Sequence, residues 1–155
     1  MRATIALIAA AAMLATATPS RADDDTVPRW GSLGKDRVNM HVGPGTAYRL
    51  SWVYVRRGLP VKVLREMTGW WLVEDPAGTR GWVRSAFVGK VHTGMVKGAV
   101  AELRETSDGG GRLLRRLAPG VLGKIGKCAG DWCRYDVEGA GGFVEAKGVW
   151  GAGEP

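Results

Sequence analysis

The two cysteines are the residues whose spacing most clearly permits chemistry. Cys128 and Cys133 are the only cysteines among the 155 residues, and the segment between them contains a Gly-Asp turn. A turn between two strands brings the thiols close together, and in an oxidising compartment such a pair forms a disulfide. A structural zinc ion needs four Cys or His ligands, and the two histidines, His41 and His92, lie far from this turn along the chain. The sequence therefore predicts a disulfide and no metal site.

Motifs for catalysis do not occur in the sequence. A cysteine nucleophile needs a free thiol beside a histidine base, and the chain has no Gly-x-Ser-x-Gly or His-Glu-x-x-His run. The carboxylates that could act as acids or bases are expected in turns and on strand faces, surrounded by water: Asp36, Glu66, Glu74 and Asp75. The sequence thus predicts a protein that is not an enzyme and that needs no cofactor.

Aromatic and cationic side chains are the best candidates for contact with a ligand. Trp70 and Trp71 are adjacent, so on a strand one fills a core while the other lies on a surface. A tryptophan face beside Arg56 or Arg84 could stack on a sugar ring or a peptide while the guanidinium holds a carboxylate or phosphate. Alternatively, these tryptophans only cover small barrels whose cores are too thin to bury them. His41 is interpreted as a partly exposed strand residue rather than a ligand or a pH switch.

The elements that must position these residues occur twice. The first copy comprises Gly58–Val63, Gly69–Val73 and Gly81–Val83, and the second, about 62 residues further on, comprises Gly120–Ile125, Asp131–Tyr135 and Gly142–Val144. Short segments rich in Val and Trp, separated by Gly, Pro or Asp about every 8–12 residues, are typical of a small all-β barrel or sandwich. Apolar residues alternate with polar ones inside the segments, and no segment shows a helical stripe.

The N-terminus is typical of a secretory signal. Arg2 gives a positive start, residues 5–14 are apolar, and Ser20 and Ala22 place small side chains at the minus-three and minus-one positions. We expect cleavage after Ala22 and export to the periplasm. The apolar run is too short for an uncleaved anchor, and no later run approaches the roughly 20 residues of a membrane-spanning helix. The mature protein is therefore not expected to span a membrane.

Charge gives only a mild indication of partners. Without residues 1–22 the chain carries 20 basic and 15 acidic side chains. A protein that tracks nucleic acid usually concentrates its basic residues on one element. Here the basic clusters are scattered along the chain: Arg56-Arg57, Arg80 with Arg84, and Arg112 with Arg115 and Arg116. Nucleic acid is therefore disfavoured, and in an exported protein the anionic partners would be cell-wall polymers, lipid head groups or acidic proteins.

The residues resemble bacterial SH3 domains. Val38–Tyr48, with its Gly-Pro-Gly turn, is similar to the opening strand and loop of that family. Gly69–Val73 and Gly81–Val88 resemble the central strand and the closing strand-turn-strand of SH3 folds in general. The second copy is degenerate, because it lacks the Gly-Pro-Gly loop and carries Phe143 in place of Trp82.

The resemblance implies an all-β fold made of two tandem SH3-like small barrels after a cleaved signal peptide. The expected divisions are a signal peptide at 1–22, a short linker at 23–28, a first barrel at 29–93, a second, degenerate barrel at 94–151 and a tail at 152–155. The connector at 89–98 could serve either as a linker or as a final strand.

The resemblance also implies a non-enzymatic, monomeric binding module of the cell envelope. Its ligand would be peptidoglycan or the peptides of peptidoglycan, and the alternative is a scaffolding module that docks on an envelope enzyme or complex. Polyproline binding is doubtful, because Arg84 and Phe87 stand where the groove Pro and Tyr of polyproline-binding SH3 domains would be. By analogy Trp70 and Trp132 form the exposed platforms. The expected ligand contacts are Tyr48, Trp70, Trp82, Arg56, Arg84 and Trp132.

Overall fold

A computed structural model describes residues 27–155. The predicted signal peptide at 1–22 and most of the expected linker at 23–28 lie outside the described residues. Within the described part, no helix has the length and apolar character needed to cross a membrane.

The first barrel is one antiparallel sheet of seven strands. The strands are β1 (Arg29–Leu33), β2 (Val38–His41), β3 (Leu50–Tyr54), β4 (Pro60–Met67), β5 (Trp70–Glu74), β6 (Arg80–Arg84) and β7 (Val88–Gly89). A 3₁₀ turn at Ser85–Phe87 joins β6 to β7. Their order across the sheet is β3-β2-β6-β5-β4-β1-β7.

The second barrel repeats this topology strand for strand. Its strands are β8 (Thr93–Val96), β9 (Ala101–Arg104), β10 (Leu113–Leu117), β11 (Leu122–Ala129), β12 (Trp132–Val137), β13 (Ala140–Glu145) and β14 (Val149–Trp150). Their order is β10-β9-β13-β12-β11-β8-β14, with a 3₁₀ turn at Ala146–Gly148 before the last strand. The predicted all-β fold of two tandem SH3-like barrels is confirmed.

The connector between the barrels contains strands of both sheets. β7 closes the first sheet against β1, whereas β8 opens the second sheet by pairing with β11 and β14. The second sheet therefore begins at Thr93, one residue before the expected division at 94, and the segment is not a free linker.

Alternation along the strands buries one face of each sheet. On β4, Val61 and Val63 are fully buried, while Lys62 between them points outward. The first core consists of Leu33, Val38, Met40, Tyr54, Val61, Val63, Val73, Val83 and Val88. The second core consists of Val96, Leu103, Leu117, Ile125, Cys133, Tyr135, Val137, Val144 and Val149. These are the period-two patterns expected of half-buried strands.

The second core has a tyrosine at a position where the first core has a valine. Tyr135 is fully buried and stands where the first barrel has Val73, while Gly123 stands where the first barrel has Val61. A Cβ atom at Gly123 would collide with the Tyr135 ring, so the larger residue is offset by the smaller one. The Tyr135 hydroxyl donates to the carbonyl of Gly94 at 2.9 Å.

Asp75 is an exception to the sequence prediction. It was expected in a solvated turn, but it is only 6 % exposed. Its Oδ1 accepts the backbone N–H groups of Ala77 and Thr79 at 2.9 and 2.8 Å, and its Oδ2 accepts the Tyr54 hydroxyl at 3.0 Å. The prediction was wrong because the carboxylate turns back to satisfy N–H groups of its own turn and is covered by Tyr54 on β3. Burial and the Asp75 charge together raise the pKa of Tyr54 well above its usual value.

The two barrels are joined by direct contacts. The Trp30 indole N–H of the first barrel donates to the carbonyl of Gly153 at 2.8 Å. The Trp30 ring also meets Trp150 of the second barrel edge to face, with centroids 4.8 Å apart. Thr93 Oγ1 donates to the carbonyl of Gly58 at 2.9 Å. The predicted tail at 152–155 thus takes part in holding the barrels together.

Candidate functional site

Trp70 and Trp71 face opposite sides of β5, as adjacent strand residues must. Trp71 packs against the first core, and the Arg29 guanidinium lies 4.3 Å from the centre of its ring. Trp70 lies on the outer face, directly across from Arg84 on β6. Trp70 is therefore the member of the pair that points away from the core.

A groove of about 190 Å³ opens beside Trp70 on the outer face of the first barrel. We call it the first groove; its lining residues are Arg37, Asn39, His41, Thr46, Trp70, Arg84 and Phe87. Strand alternation explains the wall formed by β2, because Val38 and Met40 are buried in the core and their neighbours point outward. The 3₁₀ turn after β6 brings Phe87 to the opposite wall.

Charged and aromatic groups meet in the first groove. The Arg84 guanidinium carbon lies 5.4 Å from the centre of the Trp70 ring, and the His41 ring meets Trp70 edge to face at 5.3 Å. His41 Nδ1 lies 2.8 Å from the carbonyl of Tyr48. Because a carbonyl only accepts, Nδ1 carries a proton and donates it. The groove thus offers an aromatic face with a guanidinium at its edge, which suits a flat or sugar-like group that carries an anion.

Three other predicted contacts lie elsewhere. Trp82 is only 9 % exposed, because β6 lies between β2 and β5 and its indole is covered, so it offers no open face to a ligand. Arg56 lies at the junction of the barrels, where its Nη2 donates to the carbonyl of Gly120 at 2.8 Å. Tyr48 is 51 % exposed and follows the Gly-Pro-Gly turn, with its ring against Gly43. Tyr48 borders the first groove through its carbonyl without lining it.

The sequence prediction missed the β2 wall and Thr46. Asn39 and His41 line the first groove, although His41 was interpreted as an ordinary strand residue. The available signal was the alternation of Arg37, Asn39 and His41 with buried Val38 and Met40, which places three polar side chains on one face.

A second groove of about 390 Å³ lies at the equivalent place in the second barrel. Its lining residues are Lys97, Ala99, Val100, Ala101, Glu102, Arg104, Gly109, Trp132, Glu145, Lys147 and Gly148. Trp132 lies across from Glu145, as Trp70 lies across from Arg84. Gly109, with a φ of +76°, packs its backbone on the Trp132 indole, where a Cβ atom would collide with the ring. Trp132 therefore forms part of the second groove and is partly covered by the loop that contains Gly109.

The predicted disulfide is present. Cys128 and Cys133 are bonded as a cross-strand pair near the tip of the β11–β12 hairpin, with Cα atoms 3.9 Å apart. The bond lies next to Trp132, so it braces the hairpin that carries this tryptophan. Among residues 27–155, no three His, Cys, Asp or Glu side chains come together as a metal-binding group.

The match to a protein family agrees with this architecture. The family described as bacterial SH3 domain matches residues 34–89 and again residues 97–151. No curated protein matches the chain. Among solved structures, NlpC2 from Trichomonas vaginalis is similar with a TM-score of 0.37 and 14% identity, over 80% of this chain and 48% of that one. NlpC1 from the same organism is similar with a TM-score of 0.37 and 16% identity, over 88% of this chain and 50% of that one.

The chain thus spans about half the length of these two structures. The two family matches cover most of the residues and coincide with the two sheets. The protein therefore belongs to the bacterial SH3 domain family and carries two copies of the domain in tandem.

Proposed function

We propose that the protein is a non-catalytic binding module of the periplasm and that its first groove binds peptidoglycan, at the peptide part of the polymer. The observation that carries the proposal is the convergence of Trp70, Arg84 and His41 on one groove. Bacterial SH3 domains are often recruited to the cell wall, and the signal-like residues 1–22 supply the route to it.

The charge of the first groove fits this ligand class. Arg37 and Arg84 line the groove, and no carboxylate of residues 27–155 does. Wall peptides expose carboxylates beside flat amide groups. A guanidinium binds a carboxylate through paired hydrogen bonds, while the Trp70 ring stacks on the amide or sugar. The proposal needs no reacting group, so we expect no turnover of the ligand.

Co-sedimentation with purified sacculi tests the proposal. The mature chain, residues 23–155, is mixed with sacculi over a salt series, beside the variants Trp70→Ala and Arg84→Gln. The matched control is Trp52→Ala, because Trp52 is 57 % exposed on β3 and does not line the first groove. We expect both groove variants to bind at least tenfold more weakly and the control to bind like the parent protein. A chain that stays in the supernatant at every salt concentration would refute the proposal.

A second candidate function is docking on an envelope protein. The β2–β3 hairpin and the loop between its strands leave four large apolar side chains exposed: Val42, Tyr48, Leu50 and Trp52. Exposed apolar groups that lie near each other often mark a protein interface. This candidate predicts no sacculus binding, a specific partner in crosslinking inside the cell, and loss of that partner in Trp52→Ala but not in Trp70→Ala.

A further inference from the structure

The second groove occupies the same place in its barrel as the first groove but has a different wall. Cross-strand register fixes the correspondence, since Trp132 pairs with Glu145 where Trp70 pairs with Arg84. The next pair along the sheet also corresponds, because Phe143 pairs with Arg104 where Trp82 pairs with His41. The aromatic platform is therefore kept, and the residues around it are changed.

The charges of the second groove are mixed, whereas those of the first are positive. Glu145 stands where the first groove has Arg84, and Glu102 stands where it has Asn39. Glu145 Oε1 pairs with Lys147 Nζ at 2.5 Å, and Glu102 Oε2 pairs with Arg104 Nη2 at 2.5 Å. Each carboxylate thus has a cation beside it on the wall of the groove.

The ion pair between Glu145 and Lys147 is exchangeable. The Lys147 side chain is 80 % exposed, and exposed ion pairs contribute little because both ions remain hydrated. The hydrogen bond and the charge of Glu145 raise the pKa of Lys147, so its ammonium stays protonated at neutral pH. A ligand that brings one charge of each sign could therefore replace both partners at once.

The second groove is also larger, and one substitution contributes to the difference. The third residue of the 3₁₀ turn is Phe87 in the first barrel and Gly148 in the second. Both residues line their grooves, and the volumes are about 190 and 390 Å³. Loss of the benzyl group thus opens room beside Trp132 for a ligand segment that the first groove cannot hold.

We propose that the second groove is a separate binding site for a zwitterionic amino-acid end, in which an ammonium and a carboxylate on one carbon meet Glu145 and Lys147 while a flat amide stacks on Trp132. The site deepens the proposed binding function, but it uses different residues and a different ligand group. Its test can therefore fail while sacculus binding through Trp70 stands, and the converse also holds.

The probe that tests the second groove is Nε-acetyl-lysine, which has a free ammonium and carboxylate at one end and a flat amide at the other. Binding to the mature chain is followed by two-dimensional NMR, with the Trp132 indole signal assigned by its loss in Trp132→Phe. We expect saturable shifts of this signal. Two blocked analogues, one acetylated at the α-nitrogen and one amidated at the carboxyl group, should each bind at least fivefold more weakly.

Two variants localise the site. Glu145→Gln removes one charge, and its matched control is Glu154→Gln, because Glu154 is exposed and does not line the second groove. Gly148→Phe introduces the phenyl ring that Phe87 supplies at the equivalent position of the first groove. A Cβ atom at Gly148 has room, because its nearest neighbour, the Ala101 Cβ, is 4.0 Å away. Both second-groove variants should bind the probe at least fivefold more weakly than the parent protein, and the control should bind it equally well. Equal binding of the blocked analogues, or no movement of the Trp132 signal, would overturn the proposal.

Discussion

Replacing Asp75 with valine tests how the first barrel is held together. The buried carboxylate accepts three hydrogen bonds, from the N–H groups of Ala77 and Thr79 and from the hydroxyl of Tyr54. The second barrel has an apolar residue at the same position, Val137. The substitution Asp75→Val therefore copies a side chain that the fold already tolerates in the other copy.

We nonetheless expect Asp75→Val to lower the free energy of unfolding by a large amount, because different hydrogen bonds hold the corresponding turn in each barrel. In the second barrel, Asp136 accepts the N–H of Gly139 at 3.0 Å, so its turn does not depend on Val137. In the first barrel, Asp75→Val leaves two backbone N–H groups without their acceptor and leaves the Tyr54 hydroxyl with only the Met40 sulfur, a weak acceptor 3.4 Å away. Hydrogen bonds to a charged group contribute about 1.5–3 kcal/mol each and are not additive, so we expect a loss of about 3–4 kcal/mol.

Tyr54→Phe separates the contribution of the Tyr54 hydroxyl from that of the two backbone N–H groups. It removes only the hydroxyl and leaves the carboxylate with two backbone donors, so its expected cost is about 1.5 kcal/mol. In the Asp75→Val background, Tyr54→Phe should lower the free energy of unfolding by less than about 0.5 kcal/mol, because the hydroxyl has already lost its carboxylate acceptor.

Urea unfolding of the parent protein and the variants measures these differences. Asp36→Val serves as the matched control, since Asp36 is exposed and the change should cost less than about 1 kcal/mol. Sacculus binding should survive in Asp75→Val below its unfolding midpoint, because neither Asp75 nor its turn lines the first groove. A cost for Asp75→Val no larger than that of the control would refute the role given to the buried carboxylate.

Three further predictions concern the rest of the molecule. Reducing the Cys128–Cys133 disulfide should lower the stability of the second barrel by about 2 kcal/mol in urea unfolding, since the closed loop is short; an unchanged midpoint would contradict this. Burial raises the pKa of Tyr135 to about 12, from 10.0, so its stabilising contribution is complete below pH 10 and lost between pH 10 and 12. Urea unfolding from pH 8 to 12 should show a loss of stability that is smaller by about 3 kcal/mol in Tyr135→Phe than in the parent protein, and an equal loss in both would contradict this. Trp30→Ala removes contacts with Trp150 and Gly153, so calorimetry should resolve two transitions in the variant and one in the parent; one transition in both would contradict this.

The sequence allowed the fold to be predicted because the signals are local. Gly, Pro and Asp separate short strands at regular spacing, and the same order returns in the second half of the chain. Strand alternation places Trp70 and Trp71 on opposite faces without any knowledge of the neighbours, and the family resemblance indicates that Trp70 is the outer one. The disulfide follows in the same way, because Cys128 and Cys133 flank a single turn.

The candidate site could be predicted only in part, because alternation does not show what covers a face. Trp82 lies on the outer face together with Arg84, yet neighbouring strands bury it. The approach of His41 to Trp70 depends on the pairing of β2 with β6 and of β6 with β5. Nothing in the residues marks which position of β2 pairs with Trp82 on β6.

Arg56, a predicted ligand contact, lies outside the first groove. In the sequence it is one of two adjacent arginines on a predicted surface, and such residues are usually solvated. Its hydrogen bond to the carbonyl of Gly120 joins positions 64 residues apart in different barrels. Only the packing of one copy on the other shows that this arginine holds the barrels together.

The way in which the two copies differ bears on what a tandem protein gains from its second barrel. The fold constrains the buried positions, where Met40 corresponds to Leu103 and the pair Val61 and Val73 corresponds to the compensating pair Gly123 and Tyr135. It places no such constraint on the groove walls.

Two equal grooves would strengthen binding to a repeating polymer through avidity alone. The exchange of Arg84 for Glu145 instead gives each barrel a different charge pattern beside the same aromatic platform. Because Trp30 and Thr93 join the barrels directly, the two grooves are held on one body. A ligand with an anionic segment and a zwitterionic end could then bind both grooves, because binding to one groove raises its effective concentration at the other. Such a protein binds most tightly to ligands that carry both groups, and less tightly to ligands that repeat one of them.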